Sequence, residues 1–289
     1  MSEFPAYIEF QTQSRCNSRC RVCPMEWTAD ALPDGRMDDA LISGLLDECA
    51  RHRDQVKSIE PYLNNEPFLD PRFLDVLRGI RDRLRCNIEV STNASVFDGD
   101  LVQAVLDERL IDDLRISIFG ATKATYETIM VKMRWERVLA NVERYRQRWV
   151  ELGRPNRTRI VFVHNPQLHP PDEVERVREL WAQSGFELII WEQLDRAGNN
   201  RTLLHQLRRG QIVGCKGGYM RDRVVIMFNG DVLLCCQDWA RQVVIGRVGQ
   251  RSLEEVWNSP ERRRAAAAIY ASSGTAPDLC SRCEMAMVV

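Results

Sequence analysis

AYIEFQTQSRCNSRCRVCP, residues 6 to 24, joins an apolar run with β character to a loop that carries three cysteines. The run predicts a strand over 6–11. Cys16, Cys20 and Cys23 follow with the spacing C-x3-C-x2-C, just beyond the strand's C-terminal end, where barrel enzymes place their active sites. Three thiolates on one short loop can hold three irons of a cubane cluster, which a fourth cysteine ordinarily completes. The alternative is zinc, which wants a fourth ligand close by. No His or further Cys lies within 25 residues, the nearest being Cys49 and His52, so a cluster with one open iron is the better fit.

Outward from this loop, runs of β character alternate with amphipathic, charged stretches. Strands are expected over 6–11, 56–63, 86–93, 113–120, 158–165 and 187–193, and helices over 37–52, 71–84, 99–110, 135–153 and 172–185. Six such units predict an α/β fold, a partial (β/α)6 TIM-like barrel rather than a full eight. The rhythm stops after residue 195. Residues 195–210 read as a connector, and VVIMFNGDVLLCC reads as a β-hairpin with Asn229-Gly230 at its turn. A boundary near residue 200 divides the chain into a barrel, 1–200, and a small C-terminal domain, 201–289.

Forty basic residues against forty-one acidic ones leave a formal charge of -1, so no global field favours nucleic acid or an anionic membrane. The N-terminus lacks a signal-peptide pattern, and no apolar run approaches the ~18 residues of a membrane span. A cytoplasmic location is expected, and in that reducing compartment clustered cysteines are more often metal ligands or catalysts than disulfides. Cys49, on the apolar face of the first helix, and Cys86, opening the third strand, read as core residues.

A second cluster lies near the C-terminus: Cys215, Cys235, Cys236, Cys280 and Cys283. Cys280 and Cys283 form a C-x2-C pair, and with Cys215 and one of the adjacent cysteines they make a four-thiolate set. Four sulfurs alone do not separate zinc from an iron–sulfur cluster.

The first triplet, on its loop after the first strand, resembles the radical S-adenosylmethionine (SAM) superfamily. The resemblance implies a [4Fe-4S] cluster whose open iron is chelated by SAM, cleavage of SAM to a 5′-deoxyadenosyl radical, and hydrogen abstraction from substrate. An external electron donor of the flavodoxin or ferredoxin kind is implied too. NNEP (64–67) stands where the family has GGEP, so Glu66 and the backbone near Asn65 are carried over as contacts to the methionine amino group. STN (91–93) brings Asn93, and RISIFG (115–120) brings Ser117, where relatives contact the carboxylate or ribose. Lys132 or Arg134 would supply a cation for that carboxylate. Val22 stands where relatives usually have an aromatic residue against adenine.

The tail NGDVLLCC…IGRV…SLEEVWNSP…CSRC is similar to the short SPASM or twitch domain, which binds one auxiliary [4Fe-4S] cluster. The resemblance implies Cys215, Cys235, Cys280 and Cys283 as ligands. Strand alternation would then turn Cys236 away from that cluster. Two readings of Cys236 stand: a small buried hydrophobe, or a hydrogen-atom donor to a substrate radical at the barrel mouth.

The overall resemblance is to dehydrogenases and epimerases of aminoglycoside and aminocyclitol intermediates in antibiotic biosynthesis. A polar small-molecule substrate is therefore expected, epimerised with Cys236 as donor. The alternatives are oxidation of a secondary alcohol with the auxiliary cluster as electron acceptor, a peptide substrate, or a non-catalytic zinc protein. With Cys16 so near the start, no leader-binding domain is expected. Substrate candidates at strand ends are Tyr62, His164, Asn165, Glu192 and Arg196; Trp191 is there too, but reads as packing.

Overall fold

The computed structural model describes residues 3–28, 34–203, 207, 210–271 and 274–289. Six parallel strands form its frame: β1 (Tyr7–Phe10), β2 (Ser58–Glu60), β3 (Asn87–Thr92), β4 (Asp113–Ser117), β5 (Arg157–His164) and β6 (Glu187–Glu192). They are paired in chain order, the expected partial barrel. Helices α1 (Asp39–Arg51), α2 (Phe73–Arg83), α3 (Gly99–Asp107), α4 (Trp135–Glu151) and α5 (Glu173–Trp181) make the crossovers. Side chains alternate along each strand. Ile8, Ile59, Ile88 and Leu114 are fully buried and share one core with Leu45, Leu77, Ile80, Val105 and Val142 of the helices. The positions that alternate with these core residues, among them Glu9, Glu60 and Glu89, face the barrel axis.

The elements stop where local chemistry stops them. The second strand ends at Glu60 rather than at residue 63, because Pro61 has no N–H for the ladder. The third helix ends at Asp107, and Arg109 takes a left-handed φ of 52° to leave it.

Beyond residue 200 come β7 (Ile212–Cys215), β8 (Arg223–Ile226), β9 (Asp231–Leu233), β10 (Val244–Arg247), α6 (Pro260–Tyr270) and β11 (Ala286–Val288). Part of the preceding connector, 204–206 and 208–209, lies outside the described residues. Strand β8 runs parallel to β1, with Tyr7 opposite Arg223 and Phe10 opposite Ile226. The sheet therefore runs across residue 200, in the order β10-β9-β8-β1-β2-β3-β4-β5-β6. Separately, β7 and β11 pair antiparallel and set Ala286 opposite Cys215. No helix among the described residues is long and apolar enough to cross a membrane.

The β8–β9 hairpin forms as expected, but Asn229-Gly230 are not its two central residues. Gly230 N donates to Met227 O at 2.8 Å, which makes Phe228 and Asn229 the centre of the turn. Gly230, at φ 86°, sits in the bulge that follows. The Asn229 side chain bridges the turn by accepting from Asp231 N at 3.1 Å. That bond favours the ordinary right-handed turn over the mirror-image one.

Candidate active site

The cysteine loop leaves the end of β1 and is fastened on three sides. Asn17 Nδ2 donates to Ser95 Oγ at 2.8 Å, and Asn93 Nδ2 donates to Asn17 Oδ1 at 2.9 Å, tying the loop to the end of β3. Gln13 Nε2 donates to Glu66 O at 2.8 Å, and Glu66 N donates to Arg15 O at 2.9 Å, tying it to the NNEP loop. Residues 19 and 20 pair antiparallel with 130 and 131. Cys16, Cys20 and Cys23 thereby border one side of an open cavity of about 860 Å³ at the C-terminal ends of the strands.

Asn65, Glu66, Asn93 and Ser117 border the same cavity. The Glu66 carboxylate accepts from Thr92 Oγ1 and from Asn93 N, both at 2.7 Å. Burial nevertheless raises its pKa from 4.5 to about 7. Asn64 occupies a left-handed φ of 53°, a conformation Asn tolerates, so the loop keeps a glycine-like path without glycine. Asn65 Oδ1 accepts from Leu63 N at 2.9 Å, while its Nδ2 is buried without a partner. An unpaired donor beside three cysteines fits a ligand with acceptor oxygens. Lys132 and Arg134 depart from expectation. Both are exposed and neither borders the cavity; its cations are Arg196, Arg223 and Lys216.

Cys215, Cys235, Cys280 and Cys283 border a second, much smaller cavity, lined otherwise by Met220, Leu234, Ile269 and other largely apolar groups. Burial pushes the Cys16 and Cys280 thiols up to about 12 and the Cys283 thiol up to about 11. Cys20, Cys23 and Cys235 are raised by burial as well. Burial raises Cys49 and Cys86 in the same way, so it is the grouping of the thiols around each cavity, and not their acidity, that makes them candidate donor sets.

Cys235 and Cys236 part company here. Cys235 borders the small cavity and Cys236 the large one. The means differs from plain strand alternation, because β9 ends at Leu233 and Cys236 lies in a turn where Asp238 N donates to Cys235 O at 3.2 Å. Cys236 Sγ lies 2.8 Å from the phenol oxygen of Tyr219.

Of the substrate candidates, Tyr62, Glu192 and Arg196 border the large cavity, as does Trp191, which is 42% exposed and thus not a packing residue. Among the described residues no carboxylate pairs with Arg196, whose charge faces Cys23 and Cys236. His164 lies outside the cavity with its Nδ1 3.3 Å from the Glu192 carboxylate. Asn165 is fully buried; its Nδ2 donates to Gln193 Oε1 at 2.7 Å and its Oδ1 accepts from Gln167 N. It closes the end of β5 instead of meeting a substrate. Cys49 and Cys86 are core residues, as expected.

Beneath the cavity lies a charged layer that the strand patterns did not single out. Glu9, Glu60 and Glu89 stand abreast on β1, β2 and β3, each following an isoleucine that faces the helices. Arg223 Nη1 lies 3.2 Å from Glu60 and 3.5 Å from Glu9, Arg115 lies 2.5 Å from Glu89, and Tyr62 donates to Glu89 at 2.8 Å. The thrice-repeated Ile-Glu dipeptide was the available signal. Gln237 and Trp239, bordering the cavity beside Cys236, were missed too; their Oε1 and Nε1 are buried without partners.

Comparison with known proteins agrees with this arrangement. Residues 215–284 match the SPASM family, an iron–sulfur cluster-binding domain. The tungsten-containing aldehyde ferredoxin oxidoreductase cofactor-modifying protein of Pyrococcus furiosus is 28% identical over 101 residues, 35% of this chain and 27% of that protein. The chain therefore matches about a quarter of that relative's length. The crystal structure of BtrN in complex with AdoMet and 2-DOIA superposes with a TM-score of 0.65 at 16% identity, over 98% of this chain and 94% of that one. SuiB of Streptococcus suis bound to the precursor peptide SuiA gives a TM-score of 0.72 at 14% identity, over 98% of this chain and 70% of that one. The structural matches bear out the expected fold, and the SPASM match bears out the iron–sulfur cluster-binding domain expected in the C-terminal part of the chain. The SPASM match spans Cys215, Cys235, Cys280 and Cys283.

Proposed function

From a radical SAM-type barrel followed by an iron–sulfur cluster-binding domain, we propose an enzyme that epimerises a carbon centre of a polar small molecule, with Cys236 as the hydrogen-atom donor. A [4Fe-4S] cluster on Cys16, Cys20 and Cys23, with SAM bound, supplies the 5′-deoxyadenosyl radical that takes a hydrogen atom from the substrate. The auxiliary cluster belongs to Cys215, Cys235, Cys280 and Cys283. Asn65 Nδ2, the Glu66 loop, Asn93 and Ser117 hold SAM against the open side of the cysteine loop. Tyr62, Trp191, Glu192, Arg196, Gln237 and Trp239 present mixed donors and acceptors around an aromatic wall, a lining suited to hydroxyls and amines. Reduced flavodoxin or ferredoxin is the proposed electron source, and a biosynthetic step in the cytoplasm the proposed setting.

One observation carries the choice of epimerisation. Cys236 borders the same cavity as the SAM-side cysteines, while its neighbour Cys235 borders the other. A thiol held there can return a hydrogen atom to the face opposite the one attacked. The thiyl radical left behind takes up one electron from the proposed flavodoxin or ferredoxin donor and one proton from solvent, which restores the thiol. Turnover in D2O tests this. An epimer carrying one solvent deuterium at the inverted carbon is expected, and Cys236→Ala should abolish it while 5′-deoxyadenosine still forms. A ketone product would mean dehydrogenation, and turnover untouched by Cys236→Ala would return that residue to the core. The peptide in the SuiB complex keeps a peptide substrate as the second reading.

A further inference from the structure

The Tyr219 phenol stands between two groups. Its oxygen is 2.9 Å from Glu9 Oε1 on one side and 2.8 Å from Cys236 Sγ on the other. It has a single proton to give. When Glu9 is ionised it can only accept, so the phenol donates to it and the phenol oxygen is left to accept the thiol proton. When Glu9 is protonated it can donate to the phenol oxygen, the phenol donates to sulfur, and the S–H is released toward the cavity. We propose that Glu9 and Tyr219 are positioning residues that set the direction of the Cys236 thiol, its S–H facing the cavity when Glu9 carries a proton and turned into Tyr219 when it does not. This rests on the reading of Cys236 as hydrogen-atom donor, and adds the device that makes the donor available.

The surroundings of Glu9 put the change within reach of ordinary conditions. It is buried on β1 with Glu60 abreast on β2 and Glu89 one strand further. Arg223 of β8 is the nearest cation, shared with Glu60, and Arg115 of β4 is engaged by Glu89. Burial raises Glu9 most, Glu60 adds to it, and Tyr219 with Arg223 opposes, leaving Glu9 at about 8. The carboxyl is therefore mostly protonated near neutrality and loses its proton a little above.

A hydrogen atom can be taken from an S–H only along the S–H direction, so turning that bond into Tyr219 withholds it from substrate. The direction can be read without turnover. A thiol that donates a hydrogen bond shows its S–H stretch at lower frequency than a free one. Infrared difference spectra of the full-length, cluster-loaded protein, wild type minus Cys236→Ala, isolate the Cys236 band from those of Cys49 and Cys86.

The wild-type band is expected at the free position below the Glu9 titration and to move to lower frequency as pH rises through about 8. Glu9→Gln, whose amide donates at every pH, should hold the free position throughout. Tyr219→Phe should do the same, by removing the acceptor. A wild-type band that does not move with pH overturns the proposal, and so does one that moves equally in Tyr219→Phe.

Epimer formed per 5′-deoxyadenosine should fall about tenfold per pH unit above the transition in wild type and stay level in Glu9→Gln. A band that moves as expected in a protein that forms no epimer upholds the thiol switch and sinks the epimerase reading instead.

Discussion

The carboxylate of Glu66 accepts the backbone N–H of Asn93 over 2.7 Å, so the loop after β2 is fixed by the end of β3. Thr92 adds a second bond of the same length, and the buried pair holds two segments of the cavity wall in register.

That arrangement makes a pH prediction. Burial lifts Glu66 from 4.5 to about 7, against the pull of Asn93 and Thr92. Between those values the folded chain binds a proton that the unfolded chain has lost. Its contribution to stability is complete below 4.5 and lost as pH rises through about 7, roughly 3 kcal/mol at about 1.4 kcal/mol per unit. Glu66→Gln cannot ionise, so its melting temperature should decline less than that of wild type between about pH 5 and about pH 8. Parallel melting curves for the two proteins would count against it.

Glu48 predicts a dependence that crosses from barrel to tail. It is buried on α1, and its carboxylate accepts from Leu253 N at 2.8 Å and Glu254 N at 2.7 Å, capping the short helix Leu253–Trp257. Glu48→Ala leaves both N–H groups without that acceptor, a cost of roughly 2–4 kcal/mol. Thermal melts should show a drop of several degrees, with Glu48→Gln between alanine and wild type. An alanine variant that melts with wild type would show that water replaces the cap.

What the sequence made legible follows the physical range of each signal. The six strands and five helices were visible because their periods of two and 3.6 are local. The cysteine sets were visible because ligand spacing on a loop is local as well. The registration of β8 beside β1 was not, since a parallel pair joining Tyr7 to Arg223 depends on contacts more than two hundred residues apart. For the same reason Lys132 and Arg134 looked like cavity cations, although the short pair with residues 19–20 ends at Val131 and both side chains beyond it are exposed. Asn165 looked accessible because it ends a strand. Its burial is decided by Gln193 and His169, neither of which a strand-end rule can place.

Two glycines predict effects of opposite sign. Gly230 holds φ at 86°, and a Cβ there would stand 2.3 Å from Val248 O. Gly230→Ala should therefore cost at least about 2 kcal/mol, from the left-handed backbone and the contact together. Gly44 lies inside α1 with nothing within 4 Å of a built Cβ, so Gly44→Ala should stabilise by about 0.5–1 kcal/mol. Denaturant midpoints should move in opposite directions; a shared direction would contradict the local reading of both sites.

The division between Cys235 and Cys236 can be weighed in iron. Two four-iron clusters give about eight irons per chain, and each set depends on its own thiols. Cys280→Ser removes a proposed ligand at the small cavity, so iron should fall toward about four while the cluster proposed on Cys16, Cys20 and Cys23 remains. Cys16→Ser should cause the complementary loss and abolish SAM cleavage. Cys236 borders the large cavity and is not needed by either set, so Cys236→Ala should keep about eight irons and the full visible absorption of wild type. The comparison is sharp because Cys235 and Cys236 are adjacent. A general disturbance of the turn would reduce iron in both variants alike, whereas the geometry expects Cys235→Ala to resemble Cys280→Ser and Cys236→Ala to resemble wild type. Loss of iron from Cys236→Ala equal to that from Cys235→Ala would mean that both thiols serve the auxiliary cluster, leaving none to face the substrate.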